Sequence, residues 1–181
     1  MLTIRFLVFI SILYTSCATS YAQSSSDFCD AVNAILKDAP NQFRNIKGRM
    51  TEQNMNATMW ASGIKVPGAI GTRFVSSMGL FYEGAFYQTR EKGELRGIYD
   101  KFKGLLSGCL LPQGYKMSQL DNFYPGLGEY KKLVFMQEPK DDPMADTAAH
   151  AAHYAPAHVT MEADYSKETG KYTIVMFIFE H

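Results

Sequence analysis

Cysteine is scarce in this chain, and most of the patterns that announce a chemistry are missing. Three cysteines and one tryptophan occur among 181 residues. There is no C-x-x-C pair, no G-x-S-x-G elbow, no H-E-x-x-H, no P-loop and no dinucleotide fingerprint. An excess of one charge is missing too, since 18 basic residues meet 18 acidic ones and the formal net charge is zero. A polyanion-binding surface needs clustered Lys and Arg, so nucleic acid is not an expected partner. Nowhere does an apolar run reach the ~20 residues that a membrane-crossing helix requires.

What is present begins with the first 22 residues. Arg5 precedes the apolar run Phe6 to Leu13, and a small, polar stretch ends in Ser20-Tyr21-Ala22. A positive start, an apolar segment of roughly 7–15 residues and a small-x-small end describe a secretory signal peptide. Residues 1–22 are therefore expected to be removed, leaving 23–181 as a single domain in a periplasmic or extracellular setting. A lipid anchor at Cys17 is disfavoured, because Tyr14 stands where an aliphatic residue is usual three positions earlier. Removal of the leader takes Cys17 with it and leaves Cys29 and Cys109. In an oxidising compartment such a pair reads as a disulfide. The plain alternative is two separate buried thiols.

Hydrophobic spacing then sketches the fold. Ser24 to Asp27 supplies N-caps and an acidic helix start, and Phe28, Val32, Ile35 and Leu36 recur at helical spacing up to Pro40. Phe43 to Ile46 reads as a brief extended segment. Thr58 to Val66 puts Trp60, Ile64 and Val66 on one strand face, and Gly79 to Gln88 is an aromatic strand. From Glu91 to Leu111, the residues Leu95, Ile98, Phe102, Leu105, Leu106 and Cys109 make a helical stripe. Leu133 to Gln137, His158 to Tyr165 and Tyr172 to Phe179 read as strands, the last apolar on both faces and so expected to be buried on both, with helix on at least one. The expectation is an α+β domain with an antiparallel sheet of five to six strands, two helices on one face, and the order α-β-β(-β)-α-β-β-β. That order resembles a duplicated helix-plus-hairpin unit, although no residue-level repeat accompanies it.

Four features carry candidate functions. Glu138 to Ala157 has no clear strand or core-helix pattern and is longer than the ~12–15 residues of an ordinary loop. Within it, His150 and His153, with His158 or Asp146, are candidate ligands for zinc or copper, since imidazole suits both; against this stands a solvated loop with no recognised metal spacing. Met50, Met55 and Met59 cluster before Trp60, where thioethers would suit Cu(I) but packing is the favoured reading. Gly93, Gly97, Gly104 and Gly108 fall on one side of the second helix, opposite its apolar stripe. Interior glycines each cost ~0.8–1 kcal/mol against alanine, so the stripe suggests close approach by a partner chain or another part of the domain. Trp60, Tyr82, Phe86 and Tyr87 are candidates for a contact surface, with core packing as the alternative.

Together these features point to an exported, non-catalytic interaction domain whose partner is a protein, a peptide or an identical chain. No cofactor is expected. The alternative from another class is a metal-binding protein or metal-dependent enzyme built on His150, His153 and His158.

Overall fold

A computed structural model of the chain describes residues 25–121, 126–137 and 157–179. Helix α1 (Ser25–Asp38) buries Phe28, Val32, Ile35 and Leu36, which is the i, i+4, i+7, i+8 stripe of an amphipathic helix. Asp27 in its first turn and Lys37 in its last complement the helix dipole. Pro40 ends it by entering a single 3-10 turn at Ala39–Asn41.

Residues 43–46, expected as an extended segment, are instead a turn. Gln42 and Phe43 have φ of 57° and 54°, a left-handed conformation that costs free energy outside glycine. Two anchors hold it. The Phe43 ring is fully buried and sits 4.9 Å from that of Phe74. The Asp38 carboxylate accepts from the backbone N–H and the side-chain amide of Asn45, at 3.0 and 2.5 Å.

Four strands follow: β1 (Lys47–Gln53), β2 (Thr58–Ser62), β3 (Gly71–Ser76) and β4 (Leu80–Thr89). Helix α2 (Lys92–Leu110) comes next, then β5 (Tyr115–Leu120), β6 (Lys132–Gln137), β7 (Val159–Ser166) and β8 (Lys171–Phe179). The strands form one sheet in the order β1-β2-β3-β4-β8-β7-β6-β5, and every neighbouring pair is antiparallel. The α+β class and the antiparallel sheet agree with the sequence reading. Its strand number and order do not: the described residues hold eight strands, arranged as one helix and four strands, twice. The strands absent from that reading are β1, β3 and β5. The edge strands β1 and β5 are mostly exposed, so they carry no apolar alternation to reveal them. Between Thr58 and Val66 the strand stops at Ser62, whose hydroxyl donates to the Ile64 carbonyl at 2.6 Å and turns the chain away.

Each half is thus a helix followed by a four-strand meander, and the halves meet where β4 pairs with β8 along most of their length. Both helices lie on the same face of the sheet. Their buried residues form one cluster with Phe74, Tyr82, Phe135, Met161, Ile174, Met176 and Ile178. Cys29 of α1 and Cys109 of α2 stand at disulfide distance, with Cα atoms 5.3 Å apart, so the expected pairing is present and staples one half's helix to the other's. Among the described residues no helix is long and apolar enough to cross a membrane.

Candidate functional site

The paired sulfurs pack at the hydrophobic core, with Asn33 and Gln113 beside Cys109 Sγ. Gln113 donates from Nε2 to the Cys109 carbonyl at 2.7 Å and to Asn33 Oδ1 at 3.0 Å, bridging α1 to the turn after α2. This is a clasp, and it ties up both thiols of the described chain.

The glycines of α2 face outward. Gly93, Gly97, Gly104 and Gly108 are all exposed, and a Cβ built on any of them meets nothing within 4 Å. No other described part of the chain makes the close backbone approach that the stripe suggested.

Two of the four aromatic candidates are core residues. Tyr82 is 0% exposed and Phe86 4%, with the Phe86 ring 4.5 Å from Phe102. The pleat turns both toward the helices, so neither lines a contact surface. Trp60 is half-buried at the margin of the core, with the Lys47 ammonium 4.8 Å from its ring centre. Tyr87 donates to Glu94 Oε2 at 2.9 Å, beside Thr89, which donates at 3.0 Å. That hydrogen bond to Glu94 raises the Tyr87 pKa and pins β4 to the first turn of α2. The same end of α2 is held by the segment before β6. Lys92 pairs with Glu129 at 2.9 Å, which holds the Glu129 carboxyl low, and Tyr130 donates to the Lys92 carbonyl at 3.1 Å.

The methionines divide. Met161 and Met176 fill the core, whereas Met50 and Met55, expected to pack, are exposed. Of the metal candidates, His150, His153 and Asp146 lie outside the described residues. His158 stacks on Phe179 with ring centres 4.4 Å apart and planes 12° from parallel. Among the described residues, no three His, Cys, Asp or Glu side chains converge as a metal site.

The register also defines a second sheet face that the sequence reading does not single out, on which Val75, Val134 and Thr160 are themselves buried. Met59, Val75, Phe81 and Phe179 are cross-strand partners in one row, and Glu83, Phe177, Thr160 and Val134 belong to the next. Partners directly opposite share a face, and these residues face away from both helices. The three phenylalanines form a cluster, with Phe81 lying 5.7 Å from Phe177 and 5.3 Å from Phe179. All three are only partly buried. Beside them a shallow depression of about 350 Å³ is lined by Gly71, Thr72, Arg73, Glu83 and Ala85. Gly71 and Ala85 supply little bulk there, and Arg73 and Glu83 pair across its floor at 2.7 Å. The signal for this face lay in β8, where Phe177 and Phe179 alternate with Met176 and Ile178. Helices cover the second set but not the first.

Compared with known proteins, the chain matches no family model, no curated protein and no solved structure.

Proposed function

We propose that this chain is an exported, non-catalytic interaction domain that binds a protein or peptide on the face of its sheet opposite α1 and α2. The observation that carries this reading is the cluster of Phe81, Phe177 and Phe179 on that face. Large aromatic side chains beside a shallow depression are the usual anchors of protein contacts, because they bury much area at little cost in side-chain entropy. The charged residues nearby are already matched within the chain, Arg73 with Glu83 and Lys132 with Glu162. A partner therefore meets apolar area without stranding an unpaired charge. The Cys29–Cys109 pair supports an oxidising setting, in keeping with the leader-like residues 1–22.

The test is affinity capture from the exterior compartment with the mature chain and with Phe177→Ser and Phe81→Ser variants. Both side chains are partly exposed, so the variants fold; circular dichroism and thermal melting check this. A partner retained by the parent chain and lost by both variants is the expected result. A partner retained equally by all three places binding elsewhere, and no retained partner removes the reading.

A further inference from the structure

Methionine ordinarily fills gaps in a core, and Met161 and Met176 do so here, at 1% and 0% exposed. Met55 and Met78 do the opposite, at 102% and 103%, the exposure of fully solvated residues. Each stands on the tip of a tight hairpin. Residues 54–57 turn β1 into β2. There the Asn54 N–H donates to the Ala57 carbonyl at 2.9 Å, and Asn54 Oδ1 accepts from the N–H groups of Asn56 and Ala57, both at 2.9 Å. Residues 77–79 turn β3 into β4, closed by the Ser77 N–H on the Gly79 carbonyl at 3.1 Å. Because Thr58 of β2 pairs with Ser76 of β3, the two tips are neighbours at one end of the sheet. The bonds that fix these turns come from the backbone and from Asn54, and neither methionine side chain supplies one.

We infer that Met55 and Met78 form an oxidation site, at which each thioether takes one oxygen atom from a hydroperoxide. A thioether in a packed core is screened from water-borne oxidants, whereas one in open water is not. The sulfur lone pair attacks the outer oxygen of the peroxide; an S–O bond forms and the O–O bond breaks. Sulfur is oxidised by two electrons to the sulfoxide. The proton of the attacked hydroxyl passes to the departing oxygen, so the peroxide is reduced to water or an alcohol. Cys29 and Cys109 are joined, so no thiol among the described residues competes for the oxidant. Met59, close by in β2, is less reactive, because Arg73 Nη1 donates to its sulfur at 3.4 Å and occupies a lone pair. A sulfoxide is polar, and at these tips it meets water rather than the core, so oxidation here costs the fold nothing.

Limiting hydrogen peroxide applied to the full chain with its disulfide formed, followed by peptide mass spectrometry, reads the rate at each methionine. Met55 and Met78 are expected to react first. Met161 and Met176 should react at least about tenfold more slowly, because a buried sulfur meets oxidant only when the structure opens locally. Met59 should fall between the two pairs. The melting temperature should stay where it was once Met55 and Met78 are sulfoxides. Met55→Leu with Met78→Leu should melt as the parent does, and under the same dose the oxygen should move to Met50 and Met136, which are about half exposed. Met55 or Met78 reacting no faster than Met161 and Met176 overturns the inference. So does a melting temperature that falls when only these two are oxidised, or a double variant in which Met50 and Met136 gain nothing.

Discussion

The first half of the molecule, α1 with β1–β4, and the second, α2 with β5–β8, share a plan and divide the work differently. The first half is closed by local devices. Its helix ends in a left-handed turn fixed by Asp38 and Phe43, and its edge strand is bulged and charged. The second half has the longer helix, one outward side of it lined with glycine, and a straight edge strand. Its side chains are spent on fastening the start of α2 through Lys92, Tyr99 and Tyr130. The difference teaches that repetition of a topology does not repeat its surface: one copy of the plan bulges its edge strand and loads it with charge, and the other keeps its edge strand in unbroken register and lines one side of its helix with glycine.

The largest effect that could break this comparison comes from the link between halves. Cys29→Ala with Cys109→Ala should cost about 4–5 kcal/mol in the chain-entropy model for a loop of this size, less if the reduced chain keeps residual structure. Denaturant unfolding with and without reductant measures it. A single transition that only shifts its midpoint means that the halves fold as one unit, whereas two transitions mean that the sulfurs alone coupled them.

Core truncations come next. Phe135 in β6 and Trp60 in β2 occupy corresponding strands, but Phe135 is fully buried and Trp60 only partly. Phe135→Ala should cost about 3–5 kcal/mol, and Trp60→Ala clearly less. Equal costs in chemical denaturation would show that the margin of the first half is as tightly packed as the centre of the second.

Alkaline titration sharpens the contrast through tyrosine. Burial raises the pKa of Tyr82 in the first half and of Tyr99 in the second above the ordinary value of 10.0. The folded chain therefore keeps protons that the unfolded chain releases. Stability is full below about pH 10 and falls as the pH rises beyond it. The Tyr99 hydroxyl donates to the Lys131 carbonyl, whereas that of Tyr82 is buried beside the Val66 backbone and Thr72. At neutral pH Tyr99→Phe should cost about 1 kcal/mol. Tyr99→Phe and Tyr82→Phe should each flatten the alkaline decline in stability, and an unchanged decline in both would place its cause elsewhere.

The smallest effect belongs to the glycines of α2. Gly104→Ala should stabilise the isolated chain by about 0.5–1 kcal/mol, because the added methyl meets open space. A melting temperature that rises while association is unaffected would mark the stripe as tolerated. Lost association would mark it as a contact.

How much of this was legible depended on burial. Phe28, Val32, Ile35 and Leu36 gave α1, and the stripe from Leu95 to Cys109 gave α2, because a helix half sunk in a core must show period 3.6. The alternation of β7 survived for the same reason, with Val159, Met161 and Ala163 buried on the helix side. β1 and β5 bury almost nothing and were silent. Tyr82 and Phe86 illustrate a second limit: an aromatic strand shows that something is covered, but only the pleat decides which rings. The Phe81–Phe177–Phe179 cluster could not be assembled beforehand, since it requires β4 and β8, far apart along the chain, to be neighbours. The pairing of Cys29 with Cys109 needed no such knowledge, because the expected removal of residues 1–22 left only two cysteines to join.

The sulfur link also has a mechanical consequence. It closes residues 29–109 into a covalent ring containing most of α1, β1–β4 and nearly all of α2. Tension applied at the two ends of the polypeptide would run through the crosslink and bypass that ring. Only the second meander and the terminal segments would extend, and full extension would fall short of the reduced chain's by roughly 260–290 Å.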